Sequence, residues 1–330
     1  MALKFPGKLF HKPGTSRPSQ VNHGRGDGLH IVLHGKVAGD ENLRGAVTAL
    51  RERGRRVEVS VTWEPGDAER FAARAASDPA VGTVVAAGGD GMINTVVTGI
   101  MDSGVESLPR LAVLPMGTAN DFARACGIDS DVYSALALAA AGDAWPVDVG
   151  RVNDQYFLNV ATGGFGTDVT INTPPELKKL LGGAAYLLTG IRQADSISAR
   201  YASFSGPDFS WSGGFLAMAV GNGRYAGGGV PMCEHACIDN GYFDLTILPE
   251  VRIEQLPEVL SVLMEKGFGA QALEAHLVRA RAHSFAIHSE TPLQINLDGE
   301  PLQSDRFEFE VMDRAIRLHL PPDTDILSAP

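Results

Sequence analysis

Gly88-Gly89-Asp90-Gly91 follows an apolar run, Val81 to Ala87, and precedes an amphipathic stretch, Met92 to Met101. A strand, a glycine turn and a helix start in that order make a cradle for phosphate. Residues without Cβ let backbone amides approach an anion closely, and the helix N-terminus beyond adds positive partial charge. The expected ligand is a nucleotide, although such a turn also suits a plain loop. Asp90 adds chemistry. A carboxylate beside a polyphosphate is repelled unless a divalent cation or a hydroxyl proton lies between them, so Asp90 points to Mg²⁺-assisted phosphoryl transfer rather than passive binding.

Transfer to an alcohol needs a group that accepts the hydroxyl proton. Asp298 and Glu300, in Leu297-Asp298-Gly299-Glu300-Pro301 at the end of an alternating strand, have the right chemistry. The same Asp-Gly pair is also a favoured hairpin turn. A second turn, Pro115 to Asp121, opens another helix beside the first. Its Thr118, Asn120 and Asp121 fit a helix cap as readily as a ligand contact.

These turns need elements to hold them. From residue 29 the pattern reads as βα units, with strands at 29–34, 57–62, 81–87 and 111–114 and helices at 42–53, 67–76 and 92–101. That alternation predicts a parallel sheet covered by helices, with ligands at the carboxyl ends of the strands. From about residue 147 the signals become strands and turns: 147–152, 156–161, 201–204, 209–211, 215–220, 242–248, 284–288, 293–297 and 306–311. Helices are expected at 176–188 and 253–264. The expected class is α/β, an N-terminal doubly wound parallel-sheet nucleotide domain over 29–146 followed by a mainly antiparallel, β-sandwich-like lipid-binding domain over 147–314. The strand at 315–320 is expected to return, within 315–325, to the first domain.

At 330 residues with 44% hydrophobic side chains the chain can bury two cores, and its net charge of −11 argues against a nucleic-acid partner. No apolar run is long enough to span a bilayer, and the start lacks the apolar core of a secretory signal, so a cytoplasmic protein is expected. Cys126, Cys233 and Cys237 suggest free thiols, and their spacing matches no standard zinc pattern. Residues 1–28 carry Lys4, Lys8, Lys12, Arg17 and Arg25 against Asp27 and are rich in Pro, Gly and Ser. They read as a disordered basic tail, either a solvated leader or a weak tether to anionic lipid.

Taken together, Gly88 to Gly91, Leu114 to Ala123, Asn159 to Gly166, Gly221 to Gly229, Asp239 to Asp244 and Leu297 to Leu302 resemble the diacylglycerol-kinase catalytic family, in particular its bacterial YegS-type lipid kinases. The resemblance runs from about residue 29 to 325. It implies a two-domain enzyme, peripheral at the inner membrane surface, that moves the γ-phosphoryl of ATP to a hydroxyl of a phosphatidylglycerol- or diacylglycerol-like lipid. By this resemblance Thr62, Gly89, Asp90, Gly91, Met92, Ile93, Asn94, Thr95 and Thr118 contact the nucleotide. Glu300 accepts the proton with Asp298 beside it, and the turn of Cys237, Asn240 and Tyr242 holds a second, structural or regulatory metal, Mg²⁺ or Ca²⁺, through two backbone carbonyls and one side chain.

The chain departs from the family pattern at three positions. Met92 stands where a Thr hydroxyl is usual, Thr95 where a Glu is usual, and Asn240 where an Asp is usual. Weaker nucleotide binding and weaker metal binding are the expected consequences. Two other readings stay open: a nucleotide- or lipid-binding relative that has lost catalysis, and a kinase for a soluble dinucleotide such as NAD, whose family shares the Gly-Gly-Asp-Gly turn.

Overall fold

The computed structural model describes residues 24–164 and 199–328, so the expected helix at 176–188 lies outside the described residues. Strands β1 (Gly28–Leu33), β2 (Val57–Val61), β3 (Val81–Gly88) and β4 (Arg110–Pro115) form a parallel sheet in the order β4-β3-β1-β2. The order reverses between β1 and β3. The turns that follow these two strands therefore flank the crevice where doubly wound sheets bind ligands.

Helices α1 (Glu41–Glu52), α2 (Asp67–Ser77) and α3 (Asp90–Met101) connect these strands, and each starts at a legible signal. Asp40 caps α1 by accepting from Leu43 N at 2.8 Å. α2 and α3 approach closely because Gly99 has no side chain: a Cβ there would meet Ala72 Cβ at 2.9 Å. After the short α4 (Asp121–Ala125), α5 (Val132–Ala141) is capped by Asp131, which accepts from Ser134 N at 2.8 Å. The sequence reading assigned no element to 132–141, where a nearly all-apolar stretch hides helical periodicity.

The antiparallel part comprises β5 (Ala144–Val152), β6 (Gln155–Phe157), β7 (Val160–Gly164), β8 (Arg200–Ser205), β9 (Ser210–Gly221), β12 (Phe243–Pro249), β13 (Val278–Ala282), β14 (Ser284–Leu297) and β15 (Glu300–His319), with β10 (Tyr225–Ala226) and β11 (Val230–Pro231) pairing separately. β7 and β8 each pair with both β9 and β14, so these four strands close on themselves around aromatic side chains. Phe285 and Phe309 stack with centroids 4.6 Å apart, and Phe157, Phe243 and Phe309 meet edge to face or stacked around them. A second apolar layer, with Leu216, Leu248, Phe268 and Leu273, lies beneath α6 (Leu256–Lys266).

Several expected strands are longer and fewer than the turn signals suggest. The runs at 209–211 and 215–220 are one strand, as are 284–288 with 293–297 and 306–311 with 315–320. Pro292 and Arg314 mark irregularities within strands rather than their ends, the register shifting between His288 and Leu293 and between Met312 and Ile316. A strand bulge and a turn use the same residues. As a result β15 runs from its hairpin with β14 to a parallel pairing of Leu318 with Leu111 on β4, and both parts belong to one 13-stranded sheet.

The tail reading needs correcting at its end. Arg25 donates to the carbonyls of Val81, Ser107, Ala76 and Asp78 at 2.6–2.8 Å, and Gly28 already opens β1, so residues 24–28 are part of the fold. Composition scored Arg25 as a solvated charge, whereas its fork of donors satisfies four backbone acceptors. Removing the Phe309 ring from the stacked cluster is expected to cost about 3–5 kcal/mol of stability. Urea unfolding of Phe309→Ala should show it, and a loss under 1 kcal/mol would mean that the cluster does not carry the core.

Candidate active site

The turn after β3 has its backbone pressed against the turn after β4. Met116 N donates to Gly88 O at 2.9 Å, and a Cβ on Gly89 would lie 3.2 Å from Gly117 Cα. A Cβ on Gly117 would overlap Gly89 outright. Asn120, in the left-handed region at φ 51°, closes the second turn by accepting from Gly117 N at 2.9 Å and donating to Gly117 O at 3.0 Å. Thr118 is exposed on that turn, directly after Gly117, the residue that packs on Gly89.

Asp90 does not face outward toward a cation. Its Oδ2 accepts from Asp121 N at 3.1 Å and its Oδ1 from Phe122 N at 3.0 Å, so the carboxylate caps α4 from the neighbouring turn. The sequence argument for Asp90 as a metal-directed acid gives way to this positioning role, because a helix start offers the same charge complementarity as a cation. α3 itself begins at Gly89 with no side-chain cap. Its first amides keep the capacity to bind an anion.

Of the residues expected to contact the nucleotide, four lie on the rim: Gly89, Gly91, Thr118, and Thr62 at the end of β2, where its Oγ1 accepts from Gly35 N at 3.1 Å. The Met92, Ile93 and Asn94 side chains are buried beneath the turn, which leaves backbone as the part of these residues that could meet a nucleotide. Met92 is 8% exposed and packs on Gly88, and the amides of Met92 and Ile93 both donate to Gly89 O. A hydroxyl at position 92 would therefore sit in the core and not at a phosphate. Asn94 Nδ2 donates to Leu297 O at 3.4 Å, tying α3 to β14, and Thr95 Oγ1 donates back to Gly91 O at 2.8 Å.

Asp298 and Glu300, two residues apart, have opposite surroundings. Asp298 is 8% exposed, and its carboxylate accepts from Leu158 N, Asn159 N and Val160 N at 2.7–3.1 Å. Burial pushes its carboxyl up to about 6 while the three amides pull it back down. The carboxylate anchors the turn to the start of β7. Asp298 takes φ 50° and Gly299 φ 105° in the turn, which Asn296 Oδ1 closes by accepting from Gly299 N at 2.8 Å. Glu300 emerges exposed from the turn, and a Cβ on Gly91 would lie 3.5 Å from its Oε1. The Glu300 carboxylate thus stands over the start of α3.

Three further residues, which the sequence reading left without a role or treated only as a cap, lock this arrangement. Asp121 Oδ2 accepts from Gly228 N at 2.9 Å, and burial raises its carboxyl, with Asp90 nearby adding to the rise. Asn159 Nδ2 donates to Tyr225 O at 2.7 Å, and Asn222 Nδ2 to Leu158 O at 2.7 Å. Asn beside Gly in Gly221-Asn222-Gly223 was the available signal, but its partners are remote in sequence.

Cys237, Asn240 and Tyr242 share one turn, where the expected ligands are two backbone carbonyls and one side chain. Asn240 Oδ1 accepts from Tyr242 N at 2.9 Å, Cys237 Sγ lies 3.7 Å from His235 O, and no group of three His, Cys, Asp or Glu side chains able to hold a metal occurs among the described residues. The turn is held by Asp148, which accepts from Gly241 N and Arg314 N, both at 2.8 Å. Burial pushes the Asp148 carboxyl up to about 6.

The diacylglycerol kinase catalytic domain family matches residues 30–152, and the YegS C-terminal NAD kinase beta sandwich-like domain matches 163–320. "Probable lipid kinase YegS-like" of Pseudomonas aeruginosa PAO1 is 46% identical over 304 residues, 92% of this chain and 98% of that protein. The protein of that name from Alcanivorax borkumensis is 44% identical over 297 residues, 90% of this chain and 98% of its own length. The chain belongs to the YegS-like lipid kinase family. Among solved structures, a diacylglycerol kinase from Bacillus anthracis str. Sterne aligns with TM-score 0.67 at 21% identity, over 90% of this chain and 98% of that one. A second structure from that organism reaches 0.76 at 23% identity, over 90% and 97%. At that identity the likeness concerns the fold: the parallel part with its glycine turn corresponds to the catalytic domain of the YegS-like kinases and the closed antiparallel part to their C-terminal domain.

Asp298 gives a pH dependence with a defined sign. Its folded-state value near 6 exceeds the ordinary 3.8, so its contribution to stability is complete below about pH 4 and is lost, by roughly 3 kcal/mol, as pH rises through 6. Thermal melts at pH 4, 5, 6 and 7 should therefore show wild type losing ground against Asp298→Asn as pH rises. Parallel curves would show that Asp298 ionises normally. At the paired turns, Gly117→Ala should lower nucleotide affinity at least tenfold by pushing the two backbones apart, and unchanged ATP binding in a calorimetric titration would contradict the packing argument.

Proposed function

We propose that this chain transfers the γ-phosphoryl group of MgATP to a hydroxyl of a membrane lipid of the phosphatidylglycerol or diacylglycerol class. The observation that carries the reading is the Glu300 carboxylate standing over the uncapped start of α3. The amides of the Gly89-Asp90-Gly91 turn hold the phosphates, with the Thr62 and Thr118 hydroxyls on the rim. The lipid hydroxyl oxygen attacks the γ-phosphorus, the bond to the ADP oxygen breaks, and the hydroxyl proton passes to Glu300. Asp90 and Asp298 act through the backbone they fix.

Mg²⁺ enters with ATP as part of the substrate, where it offsets phosphate charge. No step runs through the turn of Cys237, Asn240 and Tyr242. The names borne by the relatives support a lipid acceptor. Among the described residues no helix is long and apolar enough to cross a membrane, so we infer that the enzyme meets its substrate peripherally, at the inner membrane surface. Met92 and Thr95 do not weigh toward a catalytically dead relative, because the first is buried below the turn and the second bonds within α3.

Incubation of the purified protein with labelled ATP, Mg²⁺ and a panel of diacylglycerol, phosphatidylglycerol and sphingoid bases should label at least one lipid. Glu300→Gln should cut the rate by 10²- to 10⁴-fold, the usual range for a lost general base, with ATP affinity near normal. A chelator should abolish labelling yet leave the melting temperature unchanged, since the metal comes with the nucleotide. Normal turnover by Glu300→Gln would remove Glu300 from the mechanism, and no labelled lipid would end the lipid-kinase reading.

A further inference from the structure

Trp63 is 95% exposed, by far the most exposed of the large hydrophobic side chains among the described residues. Leaving an indole in water forgoes the burial that usually holds it in a core, so its position calls for a partner. It directly follows Thr62 at the carboxyl end of β2, on the same edge of the sheet as the glycine turn. The loop that carries it is rigidly held. Asp67, itself buried, accepts from Trp63 N at 2.7 Å and from Glu64 N at 3.1 Å, and Arg70 pairs with the same carboxylate. Hydrogen bonds to these two amides hold the Asp67 carboxyl below its ordinary range.

The register places the indole relative to the phosphate cradle. Leu33 on β1 pairs with Val61 on one side and with Ala87 on the other, so the turns after β2, β1 and β3 lie in a row. Two strand spacings, about 10 Å, separate the backbone at Val61, two residues before Trp63, from that at Ala87, two residues before Gly89. Glu300 reaches the start of α3 from the antiparallel part, which follows β4 in the strand order, whereas β2 is the edge strand at the other end. A triphosphate whose γ-phosphoryl faces Glu300 must carry its nucleoside the other way, across the end of β1 and toward β2. The turn between contains Gly35, where any Cβ would overlap Thr62 O, so no side chain grows from that position into the path.

From this placement we infer that Trp63 is the stacking shelf for the purine base of the nucleotide. The inference rests on the kinase reading and assigns the base end of that site, which the glycine turn leaves undefined. Phosphate-binding amides do not distinguish ATP from inorganic polyphosphate, whereas an indole face recognises the π-surface of a base. Stacking of this kind raises affinity by about tenfold or more per base.

The test compares ATP with inorganic tripolyphosphate, which has the phosphates and no base, by calorimetric titration of wild type, Trp63→Phe and Trp63→Ala in the presence of Mg²⁺. Trp63→Ala should bind ATP about tenfold more weakly and tripolyphosphate as wild type does, and Trp63→Phe should recover most of the ATP affinity. With its side chain in solvent, neither variant should change the melting temperature. The assignment is overturned if Trp63→Ala binds ATP as tightly as wild type, or if both ligands weaken equally. It is also overturned if the variant keeps ATP affinity but loses binding to phosphatidylglycerol vesicles, which would make the indole a membrane contact. Wild type that binds ATP and labels lipid while Trp63→Ala is indifferent sinks the shelf alone; wild type that binds neither ATP nor tripolyphosphate sinks the kinase reading and the shelf with it.

Discussion

One buried carboxylate fixes where the acid on the other side of the cradle can stand. Asp298 takes three backbone amides, those of residues 158 to 160, and thereby pins the β14–β15 turn against the start of β7. Charge-assisted bonds of this kind contribute roughly 1.5–3 kcal/mol each, enough to outweigh the left-handed backbone at Asp298 itself. Glu300 leaves this turn as the first residue of β15, a strand of 20 residues whose penultimate one, Leu318, pairs with the parallel sheet. Glu300 and the parallel sheet are thus joined by one strand and by one anchored turn.

Acidic groups accumulate around this junction. Burial raises the carboxyls of Asp121 and Asp298, and Asp90 adds to the rise of both, at a place where phosphate would bring more negative charge. The arrangement holds because the acids are spent on amides. Asp90 takes those of Asp121 and Phe122, Asp121 that of Gly228, and Asp298 those of 158 to 160. Each carboxylate saturates one set of backbone donors, and the start of α3 is left for the phosphates. What composition shows as an acidic excess is, at this site, a means of rationing backbone donors.

The parallel part was legible because its helices and strands are bounded by residues with local duties: Asp40 capping α1, the apolar run of β3, the glycines after it. The antiparallel part was legible as strands and less so as lengths, since Pro292 and Arg314 carry the composition of turns while sitting in bulges. The structure brings together some of the candidate site residues that residue types suggest. Glu300 and Gly91 come together as an acid and a turn must, while Asp90 and Asp298 bond to backbone 31 or more positions away, which no local pattern encodes. The buried faces of Met92, Ile93 and Asn94 follow from helix phase, fixed only once the first residue of α3 is known. Arg25 escaped for a related reason: its four acceptors, Ala76, Asp78, Val81 and Ser107, lie 51 to 82 positions away.

The joining strand also bears on how a reaction cycle would run. Two bodies linked by a flexible connector can open and close by hinge motion, but here the boundary is crossed by β15 and by β5 paired along it, from Phe309 with Val152 to His319 with Ala144. Two side-chain links reinforce it, Asn94 to Leu297 O and Asp121 to Gly228 N. His319 completes the seam: burial lowers its imidazole to about 4, so it stays neutral at physiological pH, with Nδ1 3.0 Å from Gly142 O and Nε2 3.1 Å from Thr83 Oγ1. Opening the site by a large rotation would break ladder bonds and these buried contacts together. Since the Glu300 carboxylate already reaches Gly91, catalysis on the proposed reading requires no such rotation, only room for a lipid hydroxyl between acid and phosphate. Movement needed for exchange of substrates then falls to side chains and surface turns, and the sheet serves as the fixed frame against which proton and phosphoryl group are aligned.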